Sequence, residues 1–256
     1  MFDKRNLRSP VDRWAKITHP MVKNVLTARP NLPNQAKIAG SITDLGELEM
    51  VRVLGRITSI NVRKVLWALD ELGEAYTRED WGLPIRDPHE PQFLALNPNA
   101  QVPVFIDDDG LTLWESNGIL IYLTQTRKSL LSGDLQTLGL SLQWLLWQAT
   151  ELNPPWGYAV NALARKTPGY TDPAKIAESI ARWTSRMEIL EAELAKGQEF
   201  IAGDSFSIAD IVLALSIHRW FVTPFEGKAN LPRISAYYDR LRAREAGARW
   251  MPDSIV

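Results

Sequence analysis

From Val51 onward the hydrophobic pattern changes period several times, and each change predicts an element. Val51-Arg52-Val53-Leu54 is a short apolar run rich in β-branched residues and stopped by Gly55, which predicts a strand. After the loop Arg56 to Ile60 the spacing becomes helical. Val62, Val65, Leu66, Leu69 and Leu72 share one face, and Gly73 is a natural C-terminal stop. Glu74 to Asp80, where Tyr76 and Arg78 alternate with polar neighbours, predicts a second strand. Trp81 to Pro91 carries Pro84, Pro88 and Pro91 and predicts a loop with at most one turn of helix. Val102 to Ile106 and Leu111 to Trp114 flank Asp107-Asp108-Asp109-Gly110, which is turn chemistry, so the pair predicts a β-hairpin. Asn117 to Tyr122 then predicts a third helix that Ser116 can cap, ending near Tyr122-Leu123, with a linker from Arg127-Lys128-Ser129.

Beyond Gly133 the strand signals vanish. Leu135 to Thr150 predicts a strongly apolar helix whose continuation must kink or restart at Pro154-Pro155. Ile176 to Leu194 has long amphipathic periodicity, with Ile180, Trp183, Met187, Leu190 and Leu194 on one stripe and Gly197 as the stop. Ser207 and Asp210 have capping-box spacing ahead of the apolar run Ile211 to Ile217, a structural role. Leu231-Pro232-Arg233-Ile234 opens a last helix carrying Tyr237, Tyr238 and Leu241. Residues 1–49 differ from all of this. They are basic and interrupted by Pro10, Pro20, Pro30 and Pro33, with no signal-peptide core, and they predict a poorly ordered, dispensable leader. The alternative is an arm that wraps the helical half through Trp14, Ile17 and Val25. The division expected is therefore a leader (1–49), an α/β domain (50–128) and an all-helical domain (134–250).

Charge and composition remove several function classes. A formal net charge of −1 offers no global field for nucleic acid. No apolar run approaches the ~18–20 residues that span a membrane. Cysteine is absent, which excludes disulfides, thiolate metal sites and a cysteine nucleophile. His19, His89 and His218 stand apart, so no metal site is expected. Rossmann and P-loop glycine patterns are missing. An intracellular, cytoplasmic protein fits best.

The chemistry that remains is anion and peptide recognition. Ser59 follows a strand and a short loop, so its hydroxyl meets a helix N-terminus whose dipole favours negative charge. Thr58 and Asn61 are alternatives, and Ser59 or Asn61 could equally cap the helix. Pro103 cannot donate to a ladder. A cis Val102–Pro103 peptide would turn the Val102 N–H and C=O outward to pair with an extended ligand. Glu115-Ser116 opens a helix whose free N–H groups favour a carboxylate. A peptide-pairing edge beside a carboxylate cradle describes a receptor for a small peptide-like anion.

Gly55-x-x-x-Ser59, Gln101-Val102-Pro103 with Glu115-Ser116, and the late Ser207-x-x-Asp210 box occur in an order that resembles the serine-type, bacterial-like cytosolic glutathione transferases. The resemblance spans about Val51 to Arg244. It implies a thioredoxin-like N-terminal domain followed by an all-helical one, a homodimer, and conjugation of glutathione to small hydrophobic electrophiles in detoxification, with glutathione as co-substrate. Ser59 would donate to the thiolate, with Asn61 or Thr58 as substitutes. Gln101, Val102 and Pro103 would hold the tripeptide backbone, and Glu115 and Ser116 its γ-glutamyl end. His89, or Arg86 beside it, would hold the glycine carboxylate, while Trp147 and Tyr158 would line the electrophile pocket. Rival readings are a non-catalytic binding or regulatory module on this fold, and a glutathione-dependent isomerase, dehalogenase or peroxidase.

Overall fold

The computed structural model describes residues 50–131 and 134–253, all within one compact unit of residues 46–256. Residues 1–49, expected to be a leader, lie outside the described residues. The first half holds a four-stranded sheet in the order β2-β1-β3-β4. Strand β1 (Val51–Leu54) pairs parallel with β2 (Tyr76–Glu79) through the crossover helix α1 (Ile60–Leu72). It pairs antiparallel with β3 (Val104–Ile106), which pairs antiparallel with β4 (Thr112–Trp114). The short helix α2 (Pro91–Leu94) precedes β3, and α3 (Ser116–Arg127) follows β4.

Alternation along β1 sorts the sheet's two faces. Val51 and Val53, with Phe105 opposite Val53, pack into the large core under α1 and α3. Leu54 and Val104 point the other way, into a small cluster with Trp81 and Phe93. The hairpin is shorter than the apolar pattern predicts, because β3 starts only at Val104. Pro103 has no N–H to give a ladder, and the Val102–Pro103 peptide is cis.

Helix α3 departs from expectation at both ends. Glu115, not Ser116, occupies the N-cap position, and Ser116 is the first helical residue. The helix also runs on to Arg127 rather than ending near Leu123. Its polar last turns are held by tertiary bonds: Arg127 reaches Glu74 at 2.9 Å and Asp107 at 3.1 Å.

The second half is helical among the described residues: α4 (Leu135–Trp147), α5 (Asn153–Ala159), α6 (Pro173–Leu194), α7 (Ile208–Val222), α8 (Pro232–Arg242) and α9 (Glu245–Trp250). Two π-turns, Gln148–Leu152 and Val160–Ala164, flank α5. The first absorbs the Pro154-Pro155 pair. The backbone stays right-handed helical from Trp147 through Asn153, and the wider turn carries the chain past two residues that cannot donate. Ser179 of α6 takes up what this leaves, accepting from the Ala159 N–H and donating to the Pro155 carbonyl.

Helix α7 is the axis of this half, buried at every residue from Ile208 to Trp220. At its start the Asp210 carboxylate accepts from the N–H and hydroxyl of Ser207, the Ile201 N–H and the Tyr237 hydroxyl. The sequence does not foresee α9. It is six residues long and contains Gly247, where a Cβ would stand 2.0 Å from the Leu241 carbonyl oxygen. A parallel-and-antiparallel sheet with α1 and α3 on one face, followed by a helical domain, is the thioredoxin-like-plus-helical architecture. Among the described residues no helix is long and apolar enough to cross a membrane.

Candidate functional site

The site begins where β1 hands over to α1. Gly55 donates to the Glu79 carbonyl and Arg56 to the Trp81 carbonyl, both at 2.8 Å, so the loop is pinned to the chain leaving β2. A Cβ on Gly55 would stand 2.3 Å from the Val62 Cγ2 and 3.2 Å from the Val102 Cβ, so glycine alone lets loop, helix and Val102 segment meet. Ser59 is the N-cap of α1 in extended conformation. Its carbonyl accepts from the Arg63 N–H, while its hydroxyl makes no capping bond. Thr58 Oγ1 instead accepts from Arg56 at 2.9 Å. Asn61 is the second residue of α1.

Across from Asn61 lies the segment leading into β3. Asn97, only 2 % exposed, organises it. Its side-chain amide donates to the Gln101 carbonyl at 2.7 Å, and its Oδ1 accepts from the backbone and side chain of Asn99 at 3.0 Å. Val102 stands outside the ladder, two residues before β3. On the third side Glu115 has φ 73° and ψ 102°, a conformation L-residues rarely adopt and one that recurs at ligand sites. It delivers the nearly buried Ser116 to the start of α3, where the first amides have no intrahelical acceptor.

These segments enclose a cleft of about 130 Å³ lined by Asn61, Asn97, Asn99, Gln101, Val102, Pro103, Trp114, Glu115 and Ser116. The structure thus gathers Asn61, Gln101, Val102, Pro103, Glu115 and Ser116 in one place. Asn97, Asn99 and Trp114 join them as residues the sequence reading does not assign. The Asn-Pro pair at 97–98 is the turn signal that could have pointed to the first two.

Ser59 and Thr58 lie at the head of α1 without lining this cleft. His89 is outside it too, exposed and paired with Asp87 at 2.9 Å. Arg86 stacks on Trp81 at 3.6 Å and pairs with Glu90. Trp147 and Tyr158 each have an aromatic partner of their own. Trp147 packs edge-on against Trp144, whereas Tyr158 packs on Tyr170 and accepts from the Asp172 N–H.

Behind the cleft, Lys64 is fully buried and donates to Gln148 at 2.9 Å and Asn117 at 3.2 Å. Burial brings its pKa down to about 7, opposed by the nearby Glu115 carboxylate and assisted by the charge of Arg219. Gln148 in turn donates to Ser216 and Asn153 at 2.7 Å, so a polar chain joins α1 and α3 to the helical half.

Comparison with known proteins identifies the family. Residues 49–125 match the glutathione S-transferase N-terminal domain and residues 173–240 the C-terminal domain. The Escherichia coli (strain K12) glutathione S-transferase GstB is 33 % identical over 200 residues, 77 % of this chain and 95 % of that protein. The chain belongs to the glutathione S-transferase family. A theta class glutathione S-transferase from Xanthomonas axonopodis pv. citri, solved with glutathione bound, superposes with a TM-score of 0.76 at 32 % identity, covering 81 % of this chain and 100 % of that one. Another relative, the Escherichia coli (strain K12) disulfide-bond oxidoreductase YfcG, is 30 % identical over 61 % of this chain and 74 % of its own length.

Proposed function

We propose that this protein binds glutathione in the cleft and joins it, through its sulfur, to small hydrophobic electrophiles. The observation that carries the reading is the convergence of Val102, left outside the ladder, with the first turn of α3. Val102 offers a backbone N–H and C=O to an extended peptide, as a neighbouring strand would. Glu115 suits the ammonium of a γ-glutamyl group and the α3 amides its carboxylate. The amides of Gln101, Asn99 and Asn61 suit the peptide bonds. The glutathione-bound relative supports the same ligand.

A thiol must ionise to attack, and lowering its pKa by two units takes about 2.7 kcal/mol of preferential thiolate stabilisation. The Ser59 hydroxyl, which makes no capping bond at the head of α1, supplies a donor of this kind, and Asn61 supplies the alternative one. Titrating thiolate absorbance of the bound tripeptide against pH separates them. Ser59→Ala is expected to raise the thiol pKa with modest loss of affinity. An unchanged pKa in that variant, with a raised one in Asn61→Ala, moves the role to Asn61.

The relationship to YfcG favours a second reading, glutathione-dependent disulfide reduction. Turnover of 2-hydroxyethyl disulfide without turnover of any aryl or alkyl halide decides for that reading. Glutathione binding with neither activity would leave a binding module.

A further inference from the structure

Four arginines, Arg56, Arg63, Arg165 and Arg219, lie within electrostatic reach of one another in pairs, and among the described residues they carry no anionic partner. Arg56 lies three residues before Ser59. Arg63 is on α1, Arg165 follows the second π-turn, and Arg219 is in the last turn of α7. Burial first, and then Arg165, Arg63 and Arg56 within electrostatic reach, disfavour the charge of Arg219. Among the described residues none of the four is paired with a carboxylate.

Arg219 is 1 % exposed, and among the described residues its Nε, Nη1 and Nη2 all lack a hydrogen-bond partner. Its guanidinium lies over the Trp156 ring at 4.4 Å. Arg63 is fully buried, and among the described residues it spends only Nη1, on the Trp250 carbonyl, leaving Nε and Nη2 unpartnered. Orphaned buried guanidinium nitrogens cost free energy that an anion would return, and nearly all such groups in proteins have partners. Burial and the neighbouring Arg165 bring the Arg63 pKa down to about 10, another sign of uncompensated positive charge.

We infer that this cluster receives a carboxylate carried by the second substrate, with Trp156 as the aromatic wall beside it. The inference rests on the conjugation reading above and narrows it, because the electrophile is then an aromatic or alkyl carboxylic acid. Arg165 and Arg56 are the more accessible members and meet the incoming carboxylate, while Arg219 forms the floor. Guanidinium recognises carboxylate through paired N–H donors. In the reaction, written for a chlorinated aromatic acid, the glutathione thiolate, its proton already lost to solvent, forms a C–S bond at the chlorine-bearing carbon, and chloride leaves with the bonding electron pair.

The test compares 4-chloro-3,5-dinitrobenzoate with its methyl ester, each rate divided by the uncatalysed rate with glutathione. The wild-type protein is expected to favour the carboxylate at least tenfold in kcat/KM. Arg165→Gln and Arg219→Gln should each cut that ratio at least tenfold. Arg165→Gln changes an exposed side chain and serves where Arg219→Gln fails to fold. Equal handling of acid and ester overturns the inference, as does a fall in glutathione affinity that accounts for the loss in the variants, since the cluster would then hold glutathione itself. If neither compound is turned over, the comparison passes from rate to binding. Calorimetric titration of unreactive 3,5-dinitrobenzoate into the glutathione-loaded protein then decides. Binding weakened in Arg165→Gln upholds the anion site, and no binding, or binding equal to that of the methyl ester, overturns it.

Discussion

Lys64 shows how much one side chain can load onto this site. It is the buried centre between Glu115, Asn117 and Gln148, with its pKa brought down to about 7. An unfolded lysine keeps its proton to about pH 10.4. Between these values the unfolded chain binds more protons than the folded one, so stability rises with pH, by up to about 1.4 kcal/mol per unit. Below about pH 7 both states are protonated and the desolvation cost is constant. Urea midpoints measured from pH 7 to 9.5 are therefore expected to rise more steeply in the wild type than in Lys64→Met, and parallel curves would show that Lys64 does not titrate there. Gly55 is the other residue with no substitute. Val62 is β-branched and stiff in a helix, so it cannot yield to a Cβ at 2.3 Å. Gly55→Ala is expected to destabilise by about 1–3 kcal/mol. By displacing Val102 it should also weaken glutathione binding on the order of tenfold, about 1.4 kcal/mol, as read by calorimetry.

At the scale of elements, α7 depends on its first turn. The Asp210 carboxylate is fully buried and satisfies four donors from three segments: Ile201, both groups of Ser207, and Tyr237 of α8. Asp210→Ala removes the only charge among them and orphans buried donors, each costing about 1–3 kcal/mol. The expected loss is about 3–5 kcal/mol in urea denaturation, with Asp210→Asn milder because it keeps an acceptor. A loss below 1 kcal/mol in Asp210→Ala would show that the donors find water instead. The capping-box spacing was legible in the sequence. The reach of Asp210 to Ile201 and Tyr237 was not, since both contacts depend on how α8 packs beside α7.

Across the whole molecule, the sheet-bearing and helical halves are tied at the far end of α1. Glu71 pairs with Arg244 at 2.6 Å, and Asp70 receives the Trp250 indole N–H at 2.7 Å and Arg249 at 2.9 Å. Trp250 is itself nearly buried, and its carbonyl holds Arg63. Trp250→Ala is expected to cost about 3–5 kcal/mol. Because its partners sit on α1, the sheet should lose amide-exchange protection together with the helices. Loss confined to the C-terminal helices would show two independently stable halves. For Glu71, burial works to raise the carboxyl pKa, but the bonds from Arg244 and Trp67 outweigh it and the net shift is downward. That contribution is present above the unfolded glutamate value and fades as pH falls through the lower folded one.

Local pattern determined the order of the strands and of the longer helices from Val51 to Leu241, the glycine stop of α1, the hairpin turn and the capping box. Each of these is decided within a few residues by side-chain period, missing donors or turn chemistry. The candidate cleft was legible where it rests on contiguous residues, in Gln101-Val102-Pro103 and Glu115-Ser116. Only the tertiary structure decided the rest. The ion pairs of Arg127 carry α3 past its apolar stretch. A six-residue α9 exists because Gly247 lets it close on Leu241. Asn97 is a cleft residue because it bonds to Gln101 and Asn99. Arg56, Arg63, Arg165 and Arg219 look like four ordinary solvated charges in the sequence, since their separations of 7 to 163 residues follow no period. Folding brings them together and withdraws water from two of them, and burial is a property of the packed chain that no local spacing encodes.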